Sequence, residues 1–111
     1  MKRADLRARL AEPAPPPREA TLEFLHGYVT HAESLDEVRE QAVQMRAVNR
    51  RPLERGLAGI EGLLAQESPE GDLAQLVAWE ANWVLDDPSD VGARAFLAGL
   101  AGLLREVLAG G

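Results

Sequence analysis

Four short polar segments divide this chain, and each carries the chemistry that starts a helix. They are Ser34-Leu35-Asp36-Glu37, Asn49-Arg50-Arg51-Pro52, Ser68-Pro69-Glu70-Gly71-Asp72 and Asp86-Asp87-Pro88-Ser89-Asp90. Ser, Asp and Asn satisfy the unpaired N–H groups of a first turn, and Pro is tolerated there because it has no N–H to leave unpaired. Ser34 followed by Glu37 has the capping-box spacing. Between these starts the apolar residues recur at helical spacing. Leu22, Leu25, Val29 and Ala32 mark a helix over about 18–33; Leu35, Val38, Ala42 and Met45 mark one to about 48. Leu53, Leu57, Ile60 and Leu64 mark a third from Pro52, and further helices are predicted over about 70–85 and 89–108.

Composition supports the same architecture. Ala, Leu, Glu, Arg, Gln, Met and Lys account for 65 of the 111 residues, whereas Val, Ile and Thr together number eleven. The first group favours helix, and so little β-branched material cannot supply a sheet. The fold predicted is all-α: a compact antiparallel bundle of four to five helices in residues 18–111, preceded by a basic, Pro-rich N-terminal arm, residues 1–17. No apolar run reaches the roughly 18 residues of a membrane-spanning helix and no signal peptide is apparent, so a cytoplasmic protein is expected. An echo links Leu57–Leu64 with Leu97–Leu104, forty residues apart, a period of stacked helix pairs that two copies alone do not establish. Gly56, Gly59, Gly62, Gly99 and Gly102 each cost about 1 kcal/mol relative to Ala within a helix, a cost that close approach of another helix would offset.

Charge is the most informative functional feature. The chain is −6 overall, and no Lys or Arg occurs between Arg55 and Arg94. Eight carboxylates lie in that interval: Glu61, Glu67, Glu70, Asp72, Glu80, Asp86, Asp87 and Asp90. Such a block repels nucleic-acid phosphate and attracts basic surfaces. On the predicted 70–85 helix, Glu80 falls within an apolar arc formed by Leu76, Val77, Trp79, Trp83 and Val84. A buried lone carboxylate is costly. Three arrangements resolve this: an exposed arc with Trp79 and Trp83 as anchors around Glu80, neutralisation by Arg94, Arg55 or Arg46, or a position where the helix leaves the core. The candidate partner-binding residues are therefore Glu70, Asp72, Trp79, Glu80, Trp83, Asp86, Asp87 and Asp90.

Catalytic signals are lacking. There is no Cys, no phosphate-binding loop, no dinucleotide fingerprint and no nucleophile elbow. Ser34, Ser68 and Ser89 stand at helix starts. His26 shares a helical face with Glu23, Thr30 and Glu33, a grouping read chiefly as a solvated surface, with a metal or proton-transfer site as the alternative. No cofactor, no metal and no enzyme activity are predicted. The partner expected is a basic protein such as a toxin or nuclease domain, with no direct nucleic-acid or membrane contact; a homodimeric helical scaffold using the Gly-rich faces is the alternative.

Over residues 22–108 the layout resembles the small helical immunity proteins of bacterial contact-dependent growth inhibition systems. The likeness rests on Leu22-x-x-Leu25-x-Gly27-Tyr28, a central helix ending in Leu63-Leu64-Ala65, the Leu73/Leu76 pair and Phe96-Leu97-x-x-Leu100. It implies a non-enzymatic protein that binds and blocks a cognate toxin domain. His31-Ala32-Glu33 replaces the aromatic-acidic stretch that such proteins place after the Tyr28 element, so no binding residue is carried over.

Overall fold

Pro17 opens the first helix, where its missing N–H costs nothing, in a computed structural model that describes residues 16–110. Helix α1 runs Pro17–Phe24 and continues as one π-helical turn, Leu25–Val29. Helix α2 is Leu35–Val48 and α3 is Arg51–Ala65. Helix α4 is Asp72–Gln75 continued by a second π turn, Leu76–Glu80, and α5 is Asp90–Ala109. The described residues thus form an all-α bundle of five helices, with no strand among them. None of these helices is long and apolar enough to cross a membrane. Most of the predicted N-terminal arm lies outside the described residues.

The caps expected at Ser34, Asn49 and Ser89 form, whereas Ser68 caps nothing among the described residues and the fourth helix starts after Gly71 with no side-chain cap of its own. Ser34 Oγ accepts from the Glu37 N–H at 3.2 Å, while the Glu37 carboxylate accepts from the Glu33 N–H at 3.0 Å. That return bond lands one residue earlier than in the standard capping box. Asn49 Oδ1 accepts from the Arg51 N–H, and Ser89 Oγ from the Gly92 N–H. Two predicted boundaries are corrected. The first helix stops at Val29 rather than near residue 33, and the fourth at Glu80 rather than residue 85; each ends in a π turn.

Glycine sets the packing of α1 on α3. A Cβ built on Gly56 would lie 2.8 Å from the Phe24 ring, on Gly59 2.6 Å from Ala20 Cβ, and on Gly62 2.8 Å from Pro17 Cγ. The contacts advance along α3 as they recede along α1, so the two helices are antiparallel with their backbones in close approach. The remaining core forms around α5, where Leu97, Leu100 and Leu104 are fully buried with Leu25, Leu53, Ile60 and Leu76. Burying each such side chain contributes about 2 kcal/mol. Gly99 and Gly102 behave differently: a Cβ on either meets nothing within 4 Å. The glycines of the two halves of the sequence echo therefore play unlike roles, those of α3 lying against α1 and those of α5 facing open space.

Charged side chains cap helices other than their own. Neither α3 nor α5 carries a basic residue in its last turn. Arg94, on α5, donates to the Leu64 carbonyl of α3 at 2.6 Å. Arg46, on α2, donates to the Val107 carbonyl of α5 at 2.6 Å, and Arg50 to that of Leu108 at 3.0 Å. These guanidinium groups satisfy C-terminal carbonyls and complement the negative end of the helix dipole. At the opposite polarity, the Asp90 carboxylate accepts from the Gly71 N–H at 2.6 Å and the Ala74 N–H at 3.0 Å, capping the start of α4 from the start of α5.

Candidate partner-binding face

The two π turns meet. The Thr30 hydroxyl, just past the end of α1, donates to the Glu80 carbonyl at 2.6 Å, and the Leu25 carbonyl lies 3.0 Å from the same oxygen. His26 Nε2 is 2.6 Å from Glu80 Oε2. A π turn widens the backbone and leaves carbonyls out of the regular ladder, where a neighbouring hydroxyl can reach them. Glu80 is thus held at the point where α4 leaves the core, half-exposed and paired with an imidazole. The arginine partners considered for it are engaged elsewhere: Arg94 and Arg46 as caps, and Arg55 facing Glu23 at 3.7 Å. Sequence reasoning missed His26 and Thr30 in this role, because they stand fifty or more positions from Glu80.

Beyond Glu80 the chain turns sharply. Asn82 adopts a left-handed conformation with φ of 53°, which Asn tolerates better than most residues. The Trp83 N–H donates to the Val77 carbonyl, folding the indole back onto Phe96 with ring centroids 5.4 Å apart. The two tryptophans therefore do not share a helical face. Trp83 is half-buried, whereas Trp79 is 78% exposed and Val84 95% exposed. The wheel failed here because helical periodicity ends at Glu80. Between the turn and α4 lies a cavity of about 140 Å³ lined by Ala74, Ala78, Trp83, Val84, Leu85 and Pro88.

The carboxylates divide into two groups. Asp72 pairs with Arg18 at 2.6 Å and Glu61 pairs with Arg105, so both are neutralised within the chain. Asp90 is occupied by the amides of Gly71 and Ala74, which hold its carboxyl below the usual carboxylate range with help from the nearby Arg94 charge. These three serve the fold. Asp87 accepts from the Ser89 hydroxyl and N–H through Oδ1 alone, and those bonds lower its pKa and keep it ionised. Glu67, Glu70 and Asp86 are exposed and have no ion-pair partner among the described residues. Trp79, Glu80, Val84, Asp86 and Asp87 thus fall on the short stretch of chain around the turn, and of these Val84 lines the cavity.

Other candidate chemistry is dispersed. The Glu23-His26-Glu33 grouping does not assemble: His26 turns to Glu80 and Glu23 faces Arg55. No group of three or more potential ligands forms a metal site among the described residues. A groove of about 520 Å³ runs between α2 and α5, lined in part by Leu35, Arg39, Gly99 and Gly102 and spanned by the Arg39–Glu106 pair at 2.7 Å. No family model matches the chain, and neither a curated protein nor a solved structure does.

Proposed function

We propose that this protein is a non-catalytic, acidic binding module of the immunity type, which neutralises a basic toxin or nuclease domain by occlusion. The observation that carries the reading is Trp79, a large indole left 78% exposed, seven and eight positions in the chain before the exposed Asp86 and the ionised Asp87. Exposing an aromatic side chain gives up burial energy, and exposed tryptophans are enriched where interfaces concentrate their affinity. The exposed carboxylates Glu70, Asp86 and Asp87, without ion-pair partners among the described residues, compete for the arginines and lysines that would otherwise hold substrate phosphate. The reading carries a cytoplasmic location with it, where a nuclease domain would meet nucleic acid. It retains Trp79, Glu80, Asp86, Asp87 and Glu70 as partner-facing residues, with Trp83 as support, and assigns Asp72 and Asp90 to the fold.

The test uses the purified protein as bait for proteins of its source cell, alongside Trp79→Ala and the charge-reversed D86K/D87K. The expected outcome is capture of a basic protein that is lost with both variants and weakened by salt. Capture of the same proteins by all three baits would overturn the proposal. A homodimeric scaffold is favoured by one observation, the open space over Gly99 and Gly102. Concentration-independent monomer mass in light scattering would remove it.

A further inference from the structure

We infer that the cavity beside Trp83 is a socket for one apolar side chain of a basic partner, flanked on that partner by Arg or Lys. The inference rests on the binding role proposed above and names the chemistry that the face selects. At about 140 Å³ the cavity is too small for a typical small-molecule ligand, whose sites span roughly 300–1,000 Å³. Its walls are the side chains of Ala74, Ala78, Trp83, Val84, Leu85 and Pro88, so no charged side chain lines it. An apolar occupant is the one such walls accept without desolvating a charge. Ala74 and Ala78 stand one turn apart on α4, and their small size creates the space; Trp83 is fixed against Phe96 and provides a rigid wall.

The charges beside the socket define the rest of the occupant. Asp86 and Asp87 lie in the chain between two lining residues, Leu85 and Pro88, and both are exposed. Neither has an ion-pair partner among the described residues. A segment that inserts a Leu, Ile, Met or Phe side chain while presenting cations to either side satisfies both features. This is the arrangement in which interfaces concentrate affinity: an anchor in a pocket, ringed by polar contacts.

Selection of displayed twelve-residue peptides on the wild-type protein tests this directly. The expected winners carry one large apolar residue within an Arg- or Lys-rich stretch. Their binding is expected to weaken about tenfold on Ala78→Leu, which fills the socket and leaves every charge in place, the scale of one anchor contact. Val84→Ala, at a fully exposed position, thins the wall and is expected to weaken the same peptides; it serves if Ala78→Leu lowers the unfolding midpoint. Basic peptides that bind Ala78→Leu and Val84→Ala as tightly as wild type, and yet lose affinity on D86K/D87K, would overturn the socket while sparing the acidic face. Selected peptides without cations, indifferent to D86K/D87K, would overturn both, and so would a selection that enriches none.

Discussion

Gly59 and Ala20 stand so close across α3 and α1 that a Cβ on Gly59 would lie 2.6 Å from the Ala20 Cβ and 3.0 Å from the Thr21 backbone nitrogen. Backbone cannot yield as the tip of a flexible side chain does. Gly59→Ala should therefore lower stability, because overpacking costs about 1–3 kcal/mol against a helix-propensity gain of about 1 kcal/mol. Gly99→Ala meets open space and should raise stability by up to about 1 kcal/mol through propensity alone. Urea denaturation of the two variants beside wild type measures both, and equal effects would contradict this account of the α1–α3 contact.

The capping of one helix by another gives a second expectation. Arg46→Ala removes the donor to the Val107 carbonyl, and a net loss of about 1 kcal/mol is expected for such a bond. The loss should be local, so amide hydrogen exchange should accelerate in the last turn of α5 and not in α3. Arg94→Ala should do the reverse, loosening the end of α3 around Leu64. Uniform acceleration in both variants would show that these arginines act on global stability only.

Thr30 supplies the third. Thr30→Val preserves shape but leaves the half-buried Glu80 carbonyl without its 2.6 Å donor, at a cost of about 1–2 kcal/mol. Because Glu80 is the last residue of α4, two positions before Asn82, the near-ultraviolet dichroism of Trp83 against Phe96 should weaken in the same variant. An unchanged aromatic spectrum would separate the π-turn junction from the placement of the turn.

Asp90 sets a pH dependence of definite sign. The amides of Gly71 and Ala74 hold its carboxyl below the ordinary range, so the contribution is complete above an unfolded-state value of about 3.9. It is lost as the pH falls through the folded-state value. Asp90→Ala should therefore be less stable than wild type at neutral pH, and the gap should close in strong acid. A gap that stays constant from pH 7 into strong acid would contradict the assignment of Asp90 as the cap of α4.

What the sequence made legible was local. Ser34 with Glu37, Pro52, and Ser89 announce helix starts through residues one to three positions away, and α2, α3 and α5 fall where the spacing predicts. The glycines of α3 were readable as a close-approach face, although nothing in their spacing distinguishes them from Gly99 and Gly102; only the position of α1 does. The candidate site was legible in charge and illegible in geometry. The gap in Lys and Arg from residue 56 to 93 is plain, but the pairing of Asp72 with Arg18 and of Glu80 with His26 joins residues 54 positions apart. The Trp79/Trp83 pair was misread because a π turn and one left-handed Asn break the helical period, and neither leaves a periodic signature.

Photocrosslinking in the source cell puts the binding face to the most direct trial, with a benzoylphenylalanine placed at position 79 in one variant and at position 99 in another. The account predicts a crosslink from position 79 to a basic protein, abolished by D86K/D87K, and no comparable product from position 99. Crosslinks that arise only from position 99, or a position-79 product that persists when both aspartates are reversed, would contradict it.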